Sequence, residues 1–425
     1  MKKTTWGICL GACLALTSLV VPAHAAGDSS ESSDSVILRH QSVGEQAAGS
    51  QDLGGAPQLE AGAWQDLLPV TGEDSARYYR LPAVQEGENI NVSAQLIIDP
   101  MNQPSSRENI KFAGELVTGD GRRCASTGTA TVSRDWFDRL ALARLDTGAK
   151  RSDGYTGCLA QGNDEVYLKL ERTGTWQADT GIPVELRVIV EPAVDPTTLS
   201  GQIPTTLPPA NVTLSGAAEP ISGGSGFSNA TELAGESIHA DSVLPFEIKY
   251  YKVHLAEGQR LNYRLTMGDS RDASANRLVT RTYSPLLAGN VVERDSAELS
   301  REDVGASVTR STLSEVSRDL VDSAGQLSGL RTPGYYYITV VGAARDPRGL
   351  NPLEYELAVQ VTGEAGGGGA WEPALDTGTG GGGVLGTATG GWWPTAAQFG
   401  ALLGGAAVAL AGFAGLWLLR RRRRT

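Results

Sequence analysis

Cys124 and Cys158 are the residues whose type and spacing speak most directly of chemistry. They are the two cysteines left once the first 25 residues, which carry Cys9 and Cys13, are set aside as a leader. They lie far apart in sequence and form no C-x-x-C, so a redox couple or a metal pair suits them poorly. In an oxidising compartment an even count favours one disulfide, which on the chain-entropy model stabilises a loop of about 35 residues by roughly 4 kcal/mol. Nucleophilic catalysis would need a serine or cysteine beside a base and an orienting acid. The histidines outside the leader are His40, His239 and His254. His40 falls in a polar lead-in, His239 in the opening loop of a repeat, and His254 on a strand face with Lys252, opposite Tyr251, Val253 and Leu255. G-x-S-x-G, H-E-x-x-H and G-x-x-x-x-G-K are all absent.

Two short motifs invite a chemical reading, and position argues against both. Leu68-Pro69-Val70-Thr71-Gly72 matches the sortase pentapeptide L-P-x-T-G, yet cleavage there would release nearly the whole chain from a C-terminal anchor. A strand-to-turn junction explains it, since Leu68-Pro69 aligns with Leu244-Pro245. Gly268-Asp269-Ser270 resembles a lipase-type opening but stands mid-domain without a matching block. Paired carboxylates could serve a glycosidase, though nothing in the sequence singles out two of the 48 Asp and Glu. The runs Tyr78-Tyr79, Tyr250-Tyr251 and Tyr335-Tyr336-Tyr337 read as sheet residues, alternately core and surface, rather than as a sugar platform.

Both ends of the chain point to export of the residues between them. Lys2 and Lys3 precede an apolar stretch from Trp6 to Val21, and Ala23-His24-Ala25 supplies a small-x-small site with cleavage between Ala25 and Ala26. At the other end Trp392-Trp393-Pro394 leads into an uncharged run, Thr395 to Leu419, and five arginines. Its 25 residues reach roughly 37 Å as a helix, enough to cross a core of about 30 Å. The positive-inside rule then puts the Arg tail in the cytoplasm and the rest outside the plasma membrane. Gly400 and Gly404 form G-x-x-x-G, a helix-packing face through which the anchor could self-associate, although the abundance of Ala and Gly in this span explains it equally well.

Charge excludes further classes. The chain has 36 Lys and Arg against 48 Asp and Glu; removing Lys2, Lys3 and the five tail arginines leaves 29 against 48, a net of −19. Such a surface repels nucleic acid and anionic head groups. Calcium or a basic partner is compatible with it, but no dense Asp/Asn/Gly loop supplies EF-hand ligands. No cofactor and no metal are expected.

The elements that must position these residues read as one unit written twice. "ARYYRLPAVQEGENINVSAQL" from Ala76 matches "IKYYKVHLAEGQRLNYRLTM" from Ile248, and each copy closes on two strands, "EVYLKLERTG" then "IPVELRVIVEP", and "GYYYITVVGA" then "PLEYELAVQV". Inside each unit the apolar period is two. Val184, Leu186, Val188 and Val190 alternate with Glu185, Arg187, Ile189 and Glu191, and Leu353, Tyr355, Leu357, Val359 and Val361 alternate with polar neighbours. Strands with one wet face need a second sheet over the other, so each unit is expected to be an antiparallel β-sandwich. Leu313, Val316 and Leu320 could line a short helix, and "WFDRLALARL" from Trp136 is ambiguous between helix and strand.

The pattern "LAEGQRLNYRL" with the closing "GYYYITVV" and "YELAVQV" resembles the bacterial pre-peptidase C-terminal domain, a small jelly-roll-like β-sandwich found beside secreted catalytic domains and in surface proteins. The resemblance covers about two thirds of the chain and fits the second copy better. It implies an accessory module with no catalytic residues.

The resulting organisation is a signal peptide at 1–25, a disordered lead-in at 26–54, a first β-sandwich at 55–192 and a Pro/Ser/Gly-rich linker at 193–228. A second β-sandwich follows at 229–362, then a Gly-rich stalk at 363–391, a transmembrane anchor at 392–419 and a cytoplasmic tail at 420–425. This is a mostly β, single-pass cell-envelope protein whose duplicated extracellular ectodomain is expected to bind or scaffold another envelope protein or an extracellular ligand without catalysis. The alternative is an extracytoplasmic hydrolase of envelope polymer with an unrecognised carboxylate site.

Overall fold

The computed structural model describes residues 44–366, apart from short stretches at 73, 100–103, 106, 134–139, 150–156, 160–163, 177–180, 194–208, 290, 293–295, 319, 321–327 and 345–348. The expected leader with its Ala25–Ala26 cleavage site, most of the expected stalk, the expected anchor with Gly400 and Gly404, and the Arg tail lie outside the described residues. Among those described, no helix is long and apolar enough to cross a membrane.

The period-two segments form strands in four sheets of five strands each, two sheets to each repeat. In the first repeat one sheet runs β1 (Glu45–Gln46), β2 (Gly62–Leu68), β10 (Ile182–Glu191), β4 (Asn89–Leu96), β8 (Leu142–Asp146). The other runs β3 (Ala76–Arg80), β9 (Val166–Gly174), β5 (Ile110–Thr118), β6 (Arg123–Ser126), with β7 (Ala130–Val132) also beside β5. The second repeat follows the same plan. Its sheets run β11 (Glu219–Pro220), β13 (Glu236–Val243), β20 (Leu353–Thr362), β15 (Arg260–Met267), β18 (Ser307–Ser311) and β12 (Thr231–Glu232), β14 (Ile248–Leu255), β19 (Gly334–Ala343), β16 (Arg277–Tyr283), β17 (Ala297–Ser300).

Within each repeat the two sheets face one another across an apolar core. Ile90, Val92, Ala94 and Leu96 of β4 and Leu168 and Leu170 of β9 are buried in the first; Tyr251, Val253 and Leu255 of β14 and Leu353, Tyr355 and Leu357 of β20 are buried in the second. Alternation puts every second residue inside, as the sequence pattern requires.

Three details differ from the sequence reading, and one ambiguity is resolved. Residues 44–54 are not a disordered lead-in: Glu45 and Gln46 pair in parallel with Trp64 and Gln65, and Ala47 is buried. The end of the expected linker likewise belongs to the second sandwich, because Glu219 and Pro220 pair with His239 and Ala240 just as β1 pairs with β2. Residues 313–318 are irregular rather than helical, although Val316 and Leu320 are buried; hydrophobicity at helical spacing also suits a loop pressed on a core. In "WFDRLALARL" the described end is strand β8.

Leu68 closes β2 fully buried, and Ser75 N donates to Gly72 O in the turn beyond it, so Leu68 to Gly72 form the expected strand-to-turn junction. Its register with the second copy is one residue off the sequence match: β13 ends on Val243, not on Leu244.

Candidate functional site

One half-buried polar motif occurs in both sandwiches and fixes how the sheets meet. In the first, the Asp66 carboxylate accepts from Gly49 N at 2.7 Å, Tyr79 OH at 2.8 Å and Leu67 N at 2.7 Å. In the second, Asp241 accepts from Gly223 N at 2.8 Å, Tyr251 OH at 2.5 Å and Ser242 N at 2.7 Å. Glycine is required at both places because a Cβ would come within 2.7 Å of the Tyr79 ring and 2.9 Å of the Tyr251 ring. Burial, reinforced by the neighbouring carboxylate, pushes both phenols far above the usual tyrosine range, so they stay neutral donors. This Tyr-Asp-Gly lock is a structural fastener, and it places Tyr79 and Tyr251 in the core as the paired tyrosines were expected to lie.

The outer faces of two sheets are docked on one another, which the alternation did not reveal. Glu185 and Arg187 of β10 were expected to face water; they and Asn91, Ser93 and Gln95 of β4 are all at least nine-tenths buried. Opposite them stand Tyr250 of β14, Tyr337 of β19 and Tyr283 of β16, grouped around Phe227. The Phe227 ring meets the three tyrosines edge-on at centroid distances of 5.0, 5.1 and 5.2 Å respectively. Arg187 stacks over both Phe227 and Tyr337 and donates to Tyr337 OH at 2.9 Å. Gln95 Nε2 donates to Tyr250 OH at 2.7 Å, and Ser228 Oγ to Glu185 at 2.7 Å. Edge-to-face aromatic pairs and a stacked guanidinium are each worth about 0.5–2 kcal/mol beyond area burial.

Beside this dock the two sandwiches leave a cleft of about 330 Å³. Its wall on the first sandwich is built from the ends of three adjacent strands: Asn89 and Asn91 of β4, Glu191 of β10, and Arg144 and Asp146 of β8. Its wall on the second comes from Leu286 beyond β16 and from Arg318, Arg331 and Thr332 ahead of β19. The polar groups are ordered by one another. Glu191 accepts from the amides of Asn89, at 2.9 Å, and Asn91; Thr147 Oγ1 donates to Asn89 Oδ1 at 3.0 Å. Arg144 spans the junction, donating to Leu286 O at 3.1 Å and to Asn91 Oδ1 at 3.2 Å. Arg331 Nε donates to Arg318 O at 3.4 Å. Domain junctions are preferred places for ligand pockets, and here the convergent polar groups are already positioned, although the lining is more polar than is usual.

The residues singled out from sequence are not brought together there. Cys124 and Cys158 are bridged, with α-carbons 5.2 Å apart, tying β6 to the segment after β8, where Cys158 N donates to Thr147 O. His239 lies on the inward face of β13, buried, with neither ring nitrogen hydrogen-bonded among the described residues. His254 is exposed on β14 with its ring edge-on to Tyr335, as expected of a strand-surface residue; His40 lies outside the described residues. In Gly268-Asp269-Ser270 the aspartate is held by a two-pronged Arg271, which keeps its carboxyl below the usual range, and the buried Ser270 hydroxyl accepts from Glu354 N at 2.7 Å. Among the described residues no group of three or more His, Cys, Asp or Glu could hold a metal ion. The cleft arginines carry no sequence signal; the strand alternation around Glu191 hinted only at the exposed end of β10.

No family model and no curated protein matches the chain. Among solved structures it is similar to the pre-peptidase C-terminal domain of collagenase from Bacillus anthracis, at 10% identity and TM-score 0.17, over 35% of this chain and 100% of that one. It is also similar to the tandem CBM22-1-CBM22-2 domain of Paenibacillus barcinonensis Xyn10C, at 11% identity and TM-score 0.18, over 66% and 80%. A third is the CUB1-EGF-CUB2 domain of human MASP-1/3, at 12% identity and TM-score 0.16, over 70% and 99%. At such scores the neighbours assign no activity to this chain.

Proposed function

We propose that the chain is a non-catalytic, single-pass envelope protein whose paired β-sandwiches form one extracytoplasmic binding or scaffolding body, with the junction cleft as its binding site. The observation that carries this reading is the cleft itself: both sandwiches build it, and the Phe227 dock beside it holds its walls in register. The leader, the arginine-tailed anchor and the net charge of −19 support a position outside the plasma membrane, with a partner that is another envelope protein or an extracellular ligand and is not nucleic acid. Because the sandwiches share a dock, the pair acts as a unit, and duplication supplies the two walls of one site in place of two independent binding modules.

A photo-crosslinking residue at Arg331 in intact cells, followed by mass spectrometry, tests this. A discrete adduct lost on Phe227→Ala is expected; adducts no different from those of a probe on the far sheet, at Thr266, would count against the site. Protease added to wall-stripped cells should remove the ectodomain and spare a short tail fragment. The hydrolase alternative keeps one supporting observation, that Asp146 and Glu191 line the same cleft. Turnover of a wall polymer, lost on Asp146→Asn, would install it.

A further inference from the structure

The two walls of the cleft carry opposite charge, and the carboxylates of one do not pair with Arg331 of the other. Sandwich one presents Asp146 and Glu191, and sandwich two presents Arg318 and Arg331. Arg144, also on the first wall, donates to the neutral acceptors Leu286 O and Asn91 Oδ1 and keeps its charge, so that wall, with two carboxylates to one cation, stays net negative. Asp146 receives a hydrogen bond from Gly148 N on one carboxylate oxygen, and Glu191 receives both asparagine amides on one oxygen. The second oxygen of each accepts none among the described residues, and the two terminal nitrogens of Arg331 donate to none among them. Neither carboxylate forms an ion pair with Arg331.

An anion alone would enter against two carboxylates, and a cation alone against the Arg331 guanidinium. A ligand with both charges satisfies both walls, and in a partly desolvated cleft each charge-assisted hydrogen bond is worth about twice a neutral one. About 330 Å³ is at the small end of ligand pockets. Resting on the binding function proposed above, we infer that the cleft takes a small zwitterion, an amino acid or short unblocked peptide, its ammonium on Asp146 and Glu191 and its carboxylate on Arg331.

Calorimetry on the purified full chain with L-alanyl-L-alanine, its N-acetyl derivative and its C-terminal amide tests this. The free dipeptide is expected to bind, with either cap weakening it by at least about tenfold, the loss of one charge-assisted contact. Arg331→Gln should abolish the penalty for the amide and keep that for the acetyl group; Asp146→Asn should do the reverse. Both positions are partly or fully exposed, and unchanged thermal melts would show that the fold is kept. Equal affinity for the three peptides, or no heat with the free dipeptide up to about 10 mM, overturns the inference. If a crosslinked partner is still captured at Arg331, the binding function stands while the zwitterion falls; if neither appears, both fall.

Discussion

The first sandwich carries a covalent tie, Cys124 to Cys158, whereas the second, without cysteine, joins its sheets through hydroxyls. There Tyr251 OH meets both Asp241 and, at 2.6 Å, Tyr355 OH, and Tyr263 OH lies 3.3 Å from Thr280 and 3.1 Å from Thr282 on the facing sheet. Strand order and the Tyr-Asp-Gly lock are common to both. Their cores diverge at one register position. Tyr79 pairs with Leu168 and Tyr251 with Ile338, and four residues onward stand Arg172 and Gly342. A Cβ at Gly342 would fall 2.3 Å from Leu244 O, because the second copy lays its Leu244 to Glu247 turn there. The first copy has a fully buried guanidinium at that point, with no hydrogen bond to any of its three nitrogens among the described residues. One plan therefore tolerates two ways of closing a small core, by a covalent staple or by a continuous hydrogen-bonded layer.

The sharpest way to separate the two is to remove the staple. Cys124→Ser with Cys158→Ser should destabilise the first sandwich by roughly 4 kcal/mol on the chain-entropy account. Hydrogen exchange should accelerate in β3, β5, β6 and β9 while β14 and β19 keep their protection. Equal loss in both sandwiches would mean that they unfold as one cooperative unit and that the contrast in fastening has no thermodynamic expression.

Next in size is the dock. Phe227→Ala removes the ring that three tyrosines and Arg187 surround, at a cost of roughly 3 kcal/mol in coupling between the sandwiches. Small-angle scattering should then report a larger radius of gyration, and a melt should resolve two transitions. An unchanged scattering profile would show that the remaining bonds, Gln95 to Tyr250 and Arg187 to Tyr337, suffice.

That dock marks where the sequence stopped being legible. Period-two alternation, the Tyr-Tyr repeat and two lone cysteines were enough to expect twin sandwiches and the bridge, because each reports on a local rule of burial or redox chemistry. Glu185, Arg187 and Gln95 obey the same alternation whether their face meets water or another sheet. Polar residues at every second position look alike in both cases, and only the pairing of two such faces tells them apart. Phe227 sat in a stretch read as linker, and its importance comes from three tyrosines that are distant in sequence. Arg318 and Arg331 belong to loops with no motif, so the cleft exists only once the sandwiches are docked.

Arg172 gives a smaller effect of opposite sign. Its guanidinium is desolvated without a hydrogen-bond partner among the described residues, and burial lowers its pKa. Replacing an uncompensated buried charge by an apolar side chain of similar length should be favourable, so Arg172→Met is expected to stabilise the first sandwich by about 2 kcal/mol in urea melts. A loss of stability would show that the cation is compensated within the core.

The smallest effect compares the lock between its two settings. In the first sandwich Tyr79→Phe removes one donor from Asp66, which keeps Gly49 N and Leu67 N. In the second, Tyr251→Phe removes the same donor from Asp241 and also strips the buried Tyr355 hydroxyl of its partner. Losing a hydrogen bond to a charged acceptor costs about 1.5–3 kcal/mol, and an orphaned buried hydroxyl adds about 1 kcal/mol or more. Tyr251→Phe should therefore cost about 1 kcal/mol more than Tyr79→Phe. The double variant Tyr251→Phe with Tyr355→Phe should recover part of that difference, because no hydroxyl is left unpaired between the sheets. Equal costs for the two single variants would mean that Tyr355 finds another acceptor, and the second sandwich's polar layer would then be a set of separate pairs.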